Sequence, residues 1–383
     1  MKIEELPDVN PNQDNIAENF DKLKELSHPS NHYTQALANL NDSLINLNLQ
    51  QLQILSLHSN PNLSWSSVQN SKLVISIIGK SNISSLLPQY INVYFRPKLL
   101  EIEKLVKLGQ KKQSTLRPRL SFREQKFDPS ILAQAWFLVS VKNDSEIQML
   151  VLLLIIDTLK FDIDAKLQAC KLLEYLQSKE IQKVPSIQNL IGPLRQNLIK
   201  CLTHLPSITQ EDESLKLLTI AYPCLYQVDR KFGNNLNFIE IIGQILSSII
   251  YVNNYPEIVI FLLNQLSICI EEIKLDVLIN ISKIFYLLNN IITNINYLEQ
   301  QPKIIIKAID VVNEILSIDN PMIYTFVYDI IGAYGILLKR IKKYEIKSID
   351  ISLIQQSITN LKRLALKYDK LNEFDELCTY IDQ

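Results

Sequence analysis

Only seven glycines occur in 383 residues, and that scarcity constrains the fold more than any motif does. Glycine supplies the positive-φ turns of hairpins and the close backbone approaches of phosphate cradles. A chain nearly without it, with apolar residues recurring every three or four positions, is expected to be built almost wholly from helices. The same composition argues against most enzyme classes and favours a helical scaffold that works by binding.

A chain of this length exceeds the size at which one compact core stops growing, yet no Pro-, Gly- or Ser-rich linker divides it. A stack of helix pairs escapes that ceiling, because each pair needs only its neighbours. The formal net charge is −1, so no global field favours nucleic acid or an anionic membrane. The five cysteines (Cys170, Cys201, Cys224, Cys269, Cys378) are odd in number and far apart, with no CxxC pair. Neither a disulfide framework nor a zinc site is readable, and no cofactor is implied. The opening MKIEELPDVNPNQ is polar and acidic, unlike a secretory leader. The most apolar run, Ile147 to Leu159, includes Asp157 and is too short to span a bilayer. These features predict a reduced, intracellular protein.

Helix follows helix along the chain. Asn12 to Ser27 and Tyr33 to Leu57 are amphipathic and rich in Asn and Gln, and Leu73 to Val106 is helical with Pro88 and Pro97 inside it. Gly109 to Asp128 shows no clear periodicity. Beyond it, Asp128-Pro129 opens a helix over Ser130 to Val141, Asp144 can cap Ser145 to Lys160, and Asp164 can cap a helix running to Ser178. Further helices are predicted near 186–204, 212–231, 235–252, 256–272, 275–298, 302–317, 321–342, 350–368 and 371–381. Paired helices of this length, joined by short turns, give a period in the range of HEAT-type repeats. The expected fold is therefore all-α, a HEAT-like α-solenoid of stacked antiparallel helix pairs. Its expected organisation is polar N-terminal helices over 1–108, a basic loop over 109–128 and one continuous run of helical repeats over 129–383.

Catalytic motifs fail on inspection. Gly79-Lys80-Ser81 follows an apolar run, but a phosphate loop needs a glycine where Val74 stands. His28 and His32 are four apart with Pro29 between them, which suits an inter-helix loop better than a metal site. Cys201 and His204 are three apart on an apolar helix with no third group in view, which reads as core rather than as a nucleophile and its base. No active site is found.

Two binding candidates survive. Lys104, Lys107, Lys111, Lys112, Arg117, Arg119, Arg123 and Lys126 stand against one carboxylate, Glu124. A solvated inter-helix loop would explain them, as would an anchor for an acidic partner segment or a phosphate-bearing ligand. Leu116, Leu120, Phe122 and Phe127 are interleaved with the charges, and Arg117, Arg119, Phe122 and Arg123 are the candidate docking residues. The second candidate is charge-poor: Phe232 to Ile270 holds only Glu240 and Glu257, and Ile284 to Leu298 holds no charge. Interface cores are depleted in charge and enriched in aromatics, which singles out Phe232, Tyr251, Tyr255, Phe261, Phe285, Tyr286 and Tyr297. Burial among central repeats would give the same composition.

The stretch LVLLLIIDTLKFDIDAKLQACKLLEYL, Leu150 to Leu176, resembles the signature of the Tel-two-interacting protein two family. There a leucine-rich helix ends at an acidic pair, and Lys-x-x-Gly opens the next helix, which closes on Leu-Leu. Asp157, Lys166 and Leu172-Leu173 match; Thr158 replaces the second acid, and Ala169 stands where glycine is expected. Downstream, Leu205-Pro206, Thr209, Leu217-Leu218 and Ala221-Tyr222-Pro223 fit the family's second block closely. The resemblance implies a subunit of the Triple T complex, bound to Tel-two and the first Tel-two-interacting protein. That complex is implied to serve as an adaptor to the ninety-kilodalton heat-shock chaperone for phosphatidylinositol-3-kinase-related kinases, including TOR and the DNA-damage checkpoint kinases. No nucleic-acid or membrane partner is implied. The matched residues read as architectural. Asp157 and Asp162 sit at a helix end or turn, Asp164 can accept N–H bonds, Lys166 can bridge to an acid, and Pro206 and Pro223 punctuate helices.

Overall fold

The computed structural model describes residues 11–43, 46–113, 127–346 and 348–382. No strand occurs among them, so the chain is all-α. It forms two compact units, residues 1–201 with 216–225, and residues 202–215 with 226–383.

The first unit begins with α1 (Pro11–Lys24), α2 (Ser30–Asn41), α3 (Leu49–Ser56) and α4 (Val68–Gly79). Next come α5 (Leu87–Tyr90), which runs through a π-turn at Ile91–Phe95 into α6 (Arg96–Gln113), and then α7 (Ser130–Val141) and α8 (Ser145–Thr158). The unit continues with α9 (Ile163–Ser178), α10 (Pro185–Cys201) and the middle of α11 (Glu211–Phe232). Alternate helices pack side by side, α6 on α8 on α10 in one layer and α7 on α9 in the other, with α3 against α7. This is solenoid packing. It explains why α8, SEIQMLVLLLIIDT, is apolar on nearly every side, since α6, α7, α9 and α10 all lie against it.

Helix boundaries follow capping chemistry. Asp144 accepts the Ile147 N–H at 3.0 Å and opens α8, and Asp128 accepts the Ser130 N–H at 3.0 Å ahead of α7. The expected cap of α9 moves by two residues. Asp162, in extended backbone, accepts the Ala165 N–H at 2.8 Å, while Asp164 lies in the first helical turn. The expected helix from Tyr33 to Leu57 is two helices. The second starts at a capping box in which the Asn48 side chain takes the Gln51 N–H and the Gln51 side chain takes the Asn48 N–H. Helix α6 extends to Gln113, shortening the segment that showed no periodicity. Pro223 lies inside α11 rather than ending a helix.

Residues 11–43 and 46–60, rich in Asn and Gln, are tied into the first unit's core. Ser59 Oγ donates to the Ala133 carbonyl at 2.8 Å, Tyr90 to Ser56 Oγ at 2.7 Å, and Trp65 Nε1 to the Leu57 carbonyl at 2.9 Å. His58 lies 2.9 Å from the Leu23 carbonyl, and burial holds its pKa below the ordinary imidazole value.

The second unit, with the ends of α11, comprises α12 (Asn235–Tyr251), α13 (Pro256–Ile273), a 3₁₀ stretch (Lys274–Asn280), α14 (Ile281–Ile292), α15 (Ile295–Gln300) and α16 (Pro302–Ser317). It closes with α17 (Pro321–Tyr324), α18 (Val327–Lys343), α19 (Ile351–Lys367) and α20 (Leu371–Asp382). Two layers recur, α12, α14, α18 and α20 against α13, α16 and α19. The helix expected over 275–298 is three pieces: the 3₁₀ stretch that follows Lys274 (φ 48°), α14, and α15, which restarts where the Asn294 side chain accepts the Asn296 and Tyr297 N–H groups. A buried polar chain ties the layers: Tyr334 donates to Ser357 Oγ at 2.9 Å, and Ser357 donates to Asn313 Oδ1 at 2.8 Å.

Trp136 on α7 is 9% exposed and stacks on Tyr175 of α9 with centroids 3.8 Å apart. Trp136→Ala is expected to cost about 3–5 kcal/mol, measured by chemical unfolding. At the next helix, Asp162→Ala should cost about 1 kcal/mol through the lost cap. Asp164→Ala should change stability by less than about 0.5 kcal/mol, and equal losses at the two sites would refute the assignment.

Candidate functional site

In the second unit three helices present matching outward stripes. On α12 the stripe is Gly243, Ser247 and Ile250; on α14, Ser282, Tyr286 and Asn289; on α18, Tyr328, Gly332 and Ile336. Spacings of three and four residues keep each stripe on one side of its helix. The opposite sides supply the core through Ile242, Ile245, Ile249, Ile284, Leu288, Ile291, Ile330 and Leu337. A cleft of about 460 Å³ runs between α12 and α14, and a second of about 490 Å³ between α14 and α18. Ser282 and Tyr286 line both, so the two form one continuous surface. Among the described residues, Lys283 and Asp329 are its charged lining groups.

Tyr286 is 71% exposed and Tyr251, at the end of α12, is 81% exposed. Ile250, Tyr328 and Ile336, which line the clefts, are exposed as well. Exposed apolar side chains gathered at one cleft mark a candidate interaction surface. A low-charge cleft with tyrosines at its centre has the composition of an interface core.

The other sequence candidates lie elsewhere. Phe285 is 1% exposed and packs on Phe326 with centroids 5.1 Å apart. Tyr297 is buried and donates to the Asn253 carbonyl at 2.8 Å. Phe285 backs the cleft between α14 and α18 from the core, and Tyr297 lies away from it. Phe232, Tyr255 and Phe261 are half-buried, with Phe232 beneath the Lys231 ammonium. Sequence reasoning missed Tyr328, Gly332 and Ile336, which fall outside the charge-poor window. Their spacing of four was the available signal.

Arg117, Arg119, Phe122 and Arg123 lie outside the described residues. Nearby, Lys107 pairs with Glu103, and Phe127 is buried against Phe161 with centroids 5.3 Å apart. Asp157 pairs with Lys160 at 2.7 Å. Lys166 is buried and donates to the Phe161 carbonyl rather than to an acid, with its pKa lowered by burial. Ala221 and Tyr222 are fully buried, Pro206 is buried and Pro223 is exposed.

Helix α10 ends at Cys201, so His204 lies beyond it and the two do not share a helix. Cys201 is fully buried, as are Cys170, Cys224 and Cys269, and all are free thiols. Burial pushes the Cys269 thiol up to about 12 and the Cys224 thiol upward, while the hydrogen bond between Cys170 and Cys201 raises Cys170 and lowers Cys201. A nucleophile needs an accessible thiolate, and burial denies access to all four. His28 and His32 pack with ring centroids 4.4 Å apart and planes tilted by 37°. Among the described residues no group of three or more His, Cys, Asp or Glu could hold a metal ion, and no helix is long and apolar enough to cross a membrane.

Gly243 and Gly332 are mid-helix, and an added Cβ at either meets no atom within 4 Å. Alanine there should stabilise the protein by about 0.5–1 kcal/mol through helix propensity, measured as a rise in unfolding midpoint. A loss of stability at either site would mean that the floor of the cleft is not open.

Comparison with known proteins gives one match: the model of the Tti2 family covers residues 51–299. That span includes both signature blocks, α12 and α14, while α18 lies beyond it. No curated protein and no solved structure matches the chain.

Proposed function

The chain belongs to the Tti2 family, and on that premise we propose that it is a non-enzymatic subunit of a Triple T co-chaperone adaptor. In this reading it joins Tel-two and the first Tel-two-interacting protein in a stable hetero-complex. That complex works with the ninety-kilodalton heat-shock chaperone to support folding, stability and assembly of phosphatidylinositol-3-kinase-related kinases, TOR and the DNA-damage checkpoint kinases among them. Its place of action is the cytoplasm, with a nuclear share. Family membership carries the assignment.

The second unit supplies the surface for association. The face formed by α12, α14 and α18 has tyrosines at its centre and little charge, as a stable partner interface requires. We place the first Tel-two-interacting protein there. The basic segment around Arg117, Arg119, Phe122 and Arg123 is proposed as a separate contact for an acidic partner segment.

Point substitutions test the face more cleanly than truncation. Removing the first 60 residues would strip Tyr33, Leu37, Leu40 and His58 from the first unit's core. Ending the chain at Lys231 would cut α11 one residue short of its end and delete every later helix. Tyr251→Glu and Tyr286→Glu, both at exposed sites, should leave helicity and melting temperature unchanged. Each should weaken co-purification of the first Tel-two-interacting protein by roughly tenfold or more, as expected for a charge forced into an interface core. Undiminished co-purification by the double variant would move the interface off this face.

A further inference from the structure

The tyrosine face is a ridge with a cleft on either side. Ser282 and Tyr286 of α14 line both clefts and so form the ridge. Lys283 lines the cleft toward α12, and Asp329 lines the cleft toward α18. Lys283 stands in the first turn of α14 and Asp329 in the first turn of α18. Helices α14 and α18 are alternate members of an up-and-down stack and run the same way. The two charges therefore flank the ridge at one end of the layer.

Both side chains are exposed, and among the described residues neither has an ion pair or a side-chain hydrogen bond. Elsewhere in the unit exposed charges are matched within the chain, as in Arg230 with Glu272 and Lys362 with Asp375. The cleft toward α18 is shaped to receive a side chain. Phe285 and Phe326 form its floor, Tyr328 and Ile336 its far wall, and an added Cβ at Gly332 would meet nothing within 4 Å. Its volume of about 490 Å³ leaves room for an aromatic ring.

The face is complementary to itself. Consider a two-fold axis in the plane of the face, parallel to α14 and lying between the ridge and α18. It carries the ridge of one copy into the cleft of the other, ridge into groove. The same rotation sets the α12 side of each ridge against α18 of the other copy. Lys283 of each then meets Asp329 of the other, as an isologous contact requires.

We propose that the chain pairs with a second copy of itself in this way. Tyr286 of each copy seats in the cleft between α14 and α18 of the other, and Lys283 pairs with the second copy's Asp329. Complementary charge selects this occupant, because the face carries one cation and one anion on opposite sides of its ridge. Apolar contact supplies the affinity, and the two ion pairs fix the register. The pairing goes beyond the adaptor reading. Taken with that reading, it covers the cleft assigned to the first Tel-two-interacting protein, so that protein and the second copy compete for one surface.

Sedimentation velocity of the purified full chain tests this, at low salt and from about 1 to about 100 μM. A monomer–dimer equilibrium is expected, with nothing larger, because an isologous contact closes at two copies. Tyr286→Glu should sediment as a monomer throughout. Lys283→Asp sets a carboxylate against Asp329, and Asp329→Lys sets an ammonium against Lys283. Each should weaken dimerisation by roughly tenfold or more. The chain carrying both substitutions should dimerise as wild type does, since the pair is restored with its direction reversed. That recovery also shows that the single variants lose contact rather than fold. A monomer at every concentration, species larger than a dimer, indifference to both single substitutions, or a double variant as weak as the singles would overturn the proposal. The assay contains no second protein. A monomeric result leaves the adaptor assignment standing, and failure of that assignment leaves the dimer intact.

Discussion

A helix of this chain is held in place by burying two sides at once, and every other property follows from that requirement. Isolated helices of 12 to 17 residues, the length of α7, α12 or α14, are marginal in water. Here α8 lies against α6, α7, α9 and α10, and α13 against α12 and α16. Since each helix is wedged between sequence neighbours, capping residues set where it starts and apolar phase sets how it rolls. Hydrogen bonds such as Tyr334 to Ser357 and Ser59 to Ala133 then fix the roll by making the alternatives leave polar groups unpaired.

Much of this was legible in the sequence, and the exceptions have physical causes. Helix starts at Ser145, Pro256 and Pro302 are announced by an acidic cap or by proline at the first position. The start of α9 was not, because Asp162 and Asp164 are both competent acceptors and only backbone conformation selects between them. Pro223 was read as a break. Instead α11 runs through it, with acids in its first turn and Arg230 and Lys231 in its last to complement the dipole. The outward face was the least legible part. Ile284, Phe285 and Tyr286 are consecutive, and composition alone does not say which of them looks out. On α18 the surrounding charges hid a neutral stripe that only the packed helix reveals.

The two grooves of the second unit differ in what they ask of a visitor. The face on α12, α14 and α18 is open, tyrosine-centred and nearly uncharged, so its energy comes from area removed from water. The groove between α13 and α16, of about 500 Å³, is as roomy but has Glu271, Lys274 and Glu314 on its lining, so charge and salt act on it more than on the first.

Helix α8 has a consequence for how the protein is made. Its run of Leu150 to Ile156 is covered by helices on both sides in sequence, so during synthesis it emerges before α9 and α10 exist to shield it. A nascent chain paused there displays a sticky, charge-free segment that recruits other nascent chains as readily as its own missing neighbours. Docking of α9 and α10 then competes with association between nascent chains for the same apolar surface.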